Sequence, residues 1–472
     1  MRLFDNLEEF SSRVALIEDG SESLSYSDLA KQSTIFSSHI KQRSLIICLC
    51  SNTIESVIGY VGTVRAHHVG IMLSAKIDSL KFANLIEQFH PNYIWLPTTF
   101  QANIPHQVVY THGRYHLIQI SSELHELHTD LSLLLGTSGS TGNPLMVRQS
   151  NENLISNAIS ICQSLKLNDL DRAITTLPMN YTYGLSIVNS QLHCGGSIVM
   201  SEATMMDRLF WDQVRDSGLT YFGGVPYTYE MLNRIGIRRL KGTSIRMLTQ
   251  AGGKLSSEIA TQLATSCKDL GILFYIMYGQ TEATARMSVL PSESVLLHPS
   301  SIGVPIPGGA FRVVDLDDEH ELNTGEVGEL QYRGPNVMMG YASNYSDLAR
   351  ADDCNGVLRT GDLARVDEDG FYYIVGRRKR FIKLLGNRVN LDDVDKFLAS
   401  NGYETASTGS DDYLLVNVVS PGSHEIIIDL VSRFISIHKS VIKIRELKEI
   451  PRNESGKVLY SEIREEFGNG EN

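Results

Sequence analysis

Apolar and polar positions follow two different rhythms along this chain. Up to about residue 300, short apolar runs bounded by turn residues alternate with amphipathic stretches. The runs are SLIICLC (44–50), LSLLLG (131–136), IRMLTQAGG (245–253) and ILFYIMYG (272–279). Runs of this kind predict strands buried on both faces, as in a parallel sheet covered by helices. Their alternation with helical periods predicts an α/β fold. From about Ala310 the rhythm becomes polar–apolar alternation with close-set turns, in FRVVDLDDE, GELQYRG and RVDEDGFYYIVGRRKRF. That pattern predicts an antiparallel or barrel-like section. After Lys383, LLGNRVNLDDVDKFLAS predicts a helix capped by Asn390, with Asp393 three residues on and Leu391, Val394, Phe397 and Leu398 on one face. A small α+β domain is expected from there to the end.

Length and charge narrow the classes. At 472 residues, a prior of roughly 150 residues per domain gives about three structural units. Charged residues at 20% and hydrophobic residues at 42% are ordinary globular usage. The formal charge of −12 offers no net attraction to nucleic acid or an anionic membrane, so an anionic ligand needs a local positive site. Six scattered cysteines form neither a CxxC metal pattern nor a secreted disulfide framework and read as small buried residues. The start, MRLFDNLEEF, lacks the parts of a signal peptide, and no segment approaches the ~18 apolar residues of a membrane span. A cytoplasmic setting is expected.

Common catalytic signatures are absent. His125 and His128 in HELH are three apart, not the four of a zinc-protease helix, and no glycine triple fits GxGxxG. They are expected to be solvated polar residues on a turn or helix. A Walker loop fails because Thr141 occupies the fifth position after Gly136, and a nucleophile elbow fails because Ser140 replaces its last glycine. What does stand out is GTSGSTGNP, Gly136 to Pro144, directly after the strand run LSLLL. Its glycines and hydroxyl residues let backbone N–H and Oγ donors turn toward one anion, a phosphate cradle.

The loop is followed in order by SNENL (150–154), LPMNYTYGL (177–185), TYFGGVPYTYEML (220–232), QAGGKL (250–255) and YGQTEAT (278–284). Then come GELQYRGPNVMMGY (328–341), RTGDLARVDEDG (359–370), GRRKRFIKLLGNRV (376–389) and PRNESGKVLY (451–460). In this order the segments resemble the adenylate-forming superfamily of acyl-CoA synthetases, nonribosomal-peptide adenylation domains and luciferases, and the resemblance covers nearly the whole chain. It implies an N-terminal domain, residues 1–378, of two mixed α/β sheets plus a small β-barrel, and a mobile α+β lid, residues 379–472, bearing the catalytic lysine. The implied reaction joins a carboxylate to the α-phosphate of ATP, with Mg2+, giving an acyl-adenylate and pyrophosphate. The thiol of CoA or of a carrier protein's phosphopantetheine then displaces AMP.

Residue by residue, the resemblance implies that Thr137, Ser138, Gly139, Ser140, Thr141 and Gly142 cover the β- and γ-phosphates. Thr281 contacts the α-phosphate and Glu282 helps hold Mg2+, a hard cation that takes oxygen ligands. Gly252, Gly253, Lys254, Tyr278 and Gly279 shape the adenine side of the nucleotide site, and Gln280 belongs to the same nucleotide-binding set. Asp362 receives the ribose hydroxyls, as a carboxylate acceptor can, with Arg377 beside it. Lys457 bridges carboxylate and α-phosphate, a fixed cation where charge gathers. Lys379 stands at the hinge and Gly386 in the thiol tunnel.

Two positions depart from the implied pattern or qualify it. Leu145 and Met146 stand where relatives carry a lysine and a glycine after the proline, so one cation is missing at the pyrophosphate end. Arg148 is not expected to replace it, because residues 145 and 148 of an extended chain face opposite ways. LPMNYTYGL carries no aspartate to receive an amino-acid ammonium, whose unpaired burial is costly. The expected substrate is therefore a small carboxylic acid without an α-amino group, with Tyr181, Tyr183 and Tyr227 as pocket walls. A carrier-loading amino-acid adenylation enzyme and a non-catalytic nucleotide-binding homologue are the rival readings.

Overall fold

The computed structural model describes residues 2–18, 22–101, 104–136, 145–384, 387–410, 412–419, 422–452, 458–460 and 462–463. Two compact units emerge: the described residues of 1–137, 143–311 and 332–358 form the first, and those of 312–331 and 359–472 the second.

The four apolar runs are strands, at Leu45–Cys50, Leu131–Gly136, Met247–Gln250 and Leu273–Tyr278. They fall in two sheets of the first unit. One is eight-stranded, in the order Gly340–Ala342, Met146–Ser150, Leu131–Gly136, Val69–Ser74, Leu45–Cys50, Tyr93–Pro97, Tyr115–Gln119, Gln107–His112. Its middle, from Leu131–Gly136 to Tyr93–Pro97, is parallel, and its margins are antiparallel. The other is nine-stranded: Val304–Pro305, Ser288–Leu290, Leu273–Tyr278, Met247–Gln250, Tyr221–Gly224, Arg172–Ile174, Ser197–Met200, Val14–Glu18, Glu22–Ser25. Here too the parallel strands lie inside and antiparallel pairs close both ends.

Helix Ile54–Arg65 is apolar almost all round, and a helix of that kind must be buried on every side. Its Ile54, Val57, Ile58 and Val61 share one core with Ile46, Trp95 and Leu133 of the first sheet and Leu16 and Ile198 of the second. Leu185, Val188 and Leu192 of helix Thr182–His193 complete that core. The strand ends that carry the motif loops are thereby fixed against a common interior.

The alternating section forms a four-stranded sheet in the order Ala310–Val314, Gly328–Arg333, Val357–Val366, Tyr372–Arg377, most of whose residues fall in the second unit. The helix expected after Lys383 is Leu391–Ser400. Asn390 caps it by accepting from the Asp392 N–H at 3.0 Å, and Leu391, Val394 and Leu398 are buried. Phe397 lies flat on Phe434, ring centroids 4.2 Å apart. A hairpin, Phe381–Leu384 with Asn387–Asn390, precedes it, and a three-stranded sheet with helix His424–Ile435 completes this α+β part. No described helix is long and apolar enough to cross a membrane.

All six cysteines are free. Cys48, Cys50 and Cys267 are buried as expected, but Cys162, Cys194 and Cys354 are half-buried. His125 and His128 lie on an irregular segment, not a helix, and His125 is not simply solvated: its ring packs on His90 and Tyr345 at 5.1 and 4.6 Å.

Candidate active site

Strand Leu273–Tyr278 leaves the nine-stranded sheet at the point where YGQTEAT begins. Gly279 sits so close to the returning chain that a Cβ there would lie 1.6 Å from the Ala285 carbonyl oxygen. Only glycine fits such an approach. Thr281–Ala283 make a 3₁₀ turn, and Thr284 and Ala285 take positive φ, +54° and +115°, before strand Ser288–Leu290 resumes the sheet. Backbone in that region persists where its surroundings hold it.

Most of the holding groups come from GPNVMMGY. Asn336 Nδ2 donates to the carbonyls of Ala283 at 2.8 Å and Arg286 at 2.9 Å, and its own carbonyl accepts from the Thr284 hydroxyl at 2.7 Å. The Met338 N–H donates to the Glu282 carbonyl at 2.9 Å, and the Tyr341 hydroxyl donates to the Glu282 carboxylate at 2.9 Å. Burial, with the Glu282 charge adding to it, pushes the Tyr341 phenol well above its ordinary value, so it stays a donor. Gln149 Nε2 donates to the Thr281 carbonyl at 2.9 Å. Asn153 of SNENL in turn donates to the carbonyls of Pro335 and Val337 at 2.8 and 2.7 Å. Thr281 and Glu282 thus stand half-exposed on a turn whose backbone is bonded on several sides.

Gly252 and Gly253 follow strand Met247–Gln250. Gly252 has φ +85°, and a Cβ there would meet the Tyr181 hydroxyl at 2.5 Å, so an expected pocket wall lies directly against an expected adenine-side glycine. Gln250 Nε2 closes the turn on the Gly253 carbonyl at 2.9 Å, and Lys254 is exposed. Gln280 donates to the Tyr278 hydroxyl at 3.1 Å. Tyr181 packs edge-on to Tyr183 with centroids 6.5 Å apart, and burial pushes its phenol up to about 12. Tyr183 is buried and donates to Thr249 at 2.6 Å. Tyr227, in contrast, is 62% exposed on the first turn of helix Pro226–Ile235 and does not join this aromatic group.

In the second unit, antiparallel pairing sets Asp362 opposite Arg377, with Arg377 Nε 3.3 Å from the Asp362 carboxylate. Asp362 is buried and Arg377 mostly exposed, so the pair offers a fixed acceptor beside a cation with reach. Arg378, next along, turns to Glu329 at 3.0 Å. Thr137, Ser138, Gly139, Ser140, Thr141, Gly142, Gly386 and Lys457 lie outside the described residues, as does the Lys379 side chain.

Leu145 is exposed at the start of strand Met146–Ser150, whereas Arg148 is fully buried. Arg148 donates to the carbonyls of Met339 at 2.8 Å, Arg350 at 2.5 Å and Ala351 at 3.1 Å, and to the Asp353 carboxylate at 2.7 Å. It is committed to the fold and cannot serve in place of a lysine at 145.

Sequence reasoning missed Asn153, Asn336, Tyr341 and Arg286. The asparagines and the tyrosine lie in the strings SNENL and GELQYRGPNVMMGY. Arg286 carried one signal, a lone charge inside the otherwise uncharged stretch TARMSVL.

A family model described as AMP-binding enzyme matches residues 3–342. The probable CoA ligase CCL5 of Humulus lupulus is 28% identical over 353 residues, which are 71% of this chain and 63% of that one. The 2-succinylbenzoate–CoA ligase of Geobacillus sp. is 28% identical over 361 residues, 73% of this chain and 70% of that one. The chain therefore spans just under two thirds of the plant relative it matches. In fold, it resembles the O-succinylbenzoate coenzyme A synthetase of Bacillus subtilis in complex with AMP, with TM-score 0.78, 20% identity and 97% of each chain covered.

Proposed function

Because the chain belongs to the AMP-binding enzyme family, we propose that it is an AMP-forming acid–thiol ligase. A carboxylate oxygen attacks the α-phosphorus of ATP, the bond to the bridging oxygen breaks, and pyrophosphate leaves. The sulfur of CoA then attacks the acyl carbon of the acyl-adenylate, the thiol proton is given up to solvent, and AMP leaves. A carrier protein's phosphopantetheine ends in the same thiol and is a chemically equivalent acceptor. The reading rests above all on the bonded turn that presents Thr281 and Glu282 from the end of strand Leu273–Tyr278. The Geobacillus relative is a 2-succinylbenzoate–CoA ligase, and a small carboxylic acid is the substrate proposed for this chain.

Each residue has a task in this scheme. The Thr281 hydroxyl donates to an α-phosphate oxygen. Glu282 fits a hard divalent cation: its carboxylate is half-exposed, and Tyr341 bonds one oxygen while the other stays available by chemistry to a metal. Mg2+ held there supplies neutralisation of phosphate charge. Gly252, Gly253 and Tyr278 receive the flat adenine, Asp362 accepts the ribose hydroxyls, and Arg377 lies alongside. Lys457 joins the carboxylate and the α-phosphate as charge accumulates between them. Lys379 is the proposed hinge between the two half-reactions, with Gly386 lining the thiol path.

The test is acid-dependent exchange of labelled pyrophosphate into ATP over a panel of aliphatic, aryl and amino acids, repeated with Lys457→Ala. Exchange with at least one acid lacking an α-amino group, falling about 100-fold or more in the variant, is expected. Exchange that persists in Lys457→Ala, or that occurs only with amino acids, overturns the reading.

A further inference from the structure

Arg286 is 2% exposed, and among the described residues no carboxylate forms an ion pair or hydrogen bond with its guanidinium. Its Nη1 donates to the Met277 thioether at 2.9 Å and its Nη2 to the Ser186 hydroxyl at 3.2 Å, while Nε has no hydrogen-bond partner. The guanidinium carbon sits 4.2 Å from the centroid of the Tyr183 ring. Its strongest ionisable neighbours are tyrosines 183, 221, 181 and 229, and all four phenols are pushed above their ordinary values by burial. They remain neutral and supply no counter-charge. A guanidinium cannot escape the cost of burial by losing its proton as a lysine does. An unpaired buried charge is among the most costly features a fold can carry. Folds retain such features at functional sites.

Its place is specific. The Arg286 carbonyl is held by Asn157 and Asn336, each at 2.9 Å, the latter also bonding the turn that bears Thr281 and Glu282. Its side chain runs the other way, beneath Tyr183, one ring from Tyr181 and the Gly252 turn. One short loop therefore presents half-exposed reacting groups at its start and a buried cation at its end. The partnerless Nε and the Nη group held only by a serine are donors of a guanidinium that a carboxylate can take as a fork.

Resting on the reading that Tyr181 and Tyr183 wall the acyl site, we propose that the activated acid carries a second anionic group, a carboxylate remote from the reacting one, which pairs with Arg286. The enzyme is then a ligase of dicarboxylic acids. The reacting carboxylate goes to the phosphate side and the remote one exchanges the Ser186 hydroxyl and the empty Nε position for a charge-assisted pair.

Matched acids test this without any mutation. Pyrophosphate exchange is measured for straight-chain monocarboxylates and α,ω-dicarboxylates of equal length, and for aryl acids with and without a second carboxylate. The wild-type protein is expected to favour some diacid over its matched monoacid by on the order of 100-fold in kcat/KM. Arg286→Met is expected to collapse that ratio to within about tenfold of unity, and Arg286→Lys to keep part of it. Binding of the best diacid by calorimetry, without ATP, is read in parallel. Exchange with monoacids at equal or greater efficiency overturns the inference and leaves the ligase reading intact. Loss of both acid classes in equal proportion in Arg286→Met, with Arg286→Lys no better, assigns the arginine to the fold and also overturns it. Absence of exchange with every acid ends the ligase reading, and the inference then stands only if a diacid binds in an Arg286-dependent way.

Discussion

Position 145 shows how much one side chain can decide. The phosphate end of the proposed site has Leu145 where relatives are expected to carry a lysine, and Arg148 three residues on is consumed by three carbonyls and Asp353. Leu145 is exposed, so a lysine there has room and keeps its charge in solvent reach. Leu145→Lys is expected to lower the KM for ATP about fivefold, the worth of one partly screened ion pair, with little effect on the KM for the acid. ATP titrations of the exchange reaction check this, and an unchanged KM for ATP shows that position 145 does not face the nucleotide. Leu145 and the position of Arg148 were both legible in the sequence. The commitment of Arg148 was foreseen only as a direction, from the alternation of an extended strand, since its acceptors lie about 200 residues away.

Among elements, the strands were the most legible and the clamps between loops the least. Apolar runs bounded by turns marked the parallel strands because both faces of such strands are covered. Helix Leu391–Ser400 was legible down to its cap, since Asn390 and the apolar face are local. What joins strands two apart in a sheet by side chains was not. Asp171 is buried and takes both Nε and Nη2 of Arg246, at 2.8 and 2.6 Å, with Thr220 and the Asn168 N–H completing its shell. The pair ties the entry of strand Arg172–Ile174 to that of Met247–Gln250. Burial alone raises the Asp171 carboxyl, but the Arg246 guanidinium and the hydrogen bonds outweigh it and hold its pKa below 3.8. A depressed native pKa contributes stability that is present above the unfolded value and is lost as pH falls through the native one. Asp171→Asn is expected to cost about 2 kcal/mol at neutral pH. It should also make the melting temperature less sensitive to acid below pH 3.8. Scanning calorimetry of both proteins between pH 2 and 7 measures it. Parallel curves at every pH remove the ion pair from the explanation.

At the scale of the whole molecule, the proposed reaction needs two chemistries from one set of residues, and the hinge proposed at Lys379 separates them. Its backbone lies in the 3₁₀ turn Arg378–Arg380, between strand Tyr372–Arg377 and the hairpin that opens the α+β part. On the hairpin side, Arg380 is fixed by Asp392 and Asp395, both at 2.8 Å, and lies over the Tyr460 ring at 3.9 Å. A proline at 379 fixes φ and removes an N–H, freezing one arrangement. Lys379→Pro is expected to reduce thioester formation by at least about 30-fold more than pyrophosphate exchange. Both are measured on the same preparation, and equal losses dismiss the hinge. By itself, the sequence determined the element types, the order of the motifs and the chemical kinds of residue at the proposed site. These follow from local periodicity, turn chemistry and residue identity. Tertiary structure alone decided which charges are answered and which are not. The bonds that hold the Thr281–Glu282 turn reach from Asn336, and the lack of a counter-charge at Arg286 among the described residues is visible only once Ser186, Met277 and the tyrosines have closed around it. A charge's partner is set by contacts between residues far apart in the chain, and no local pattern records them.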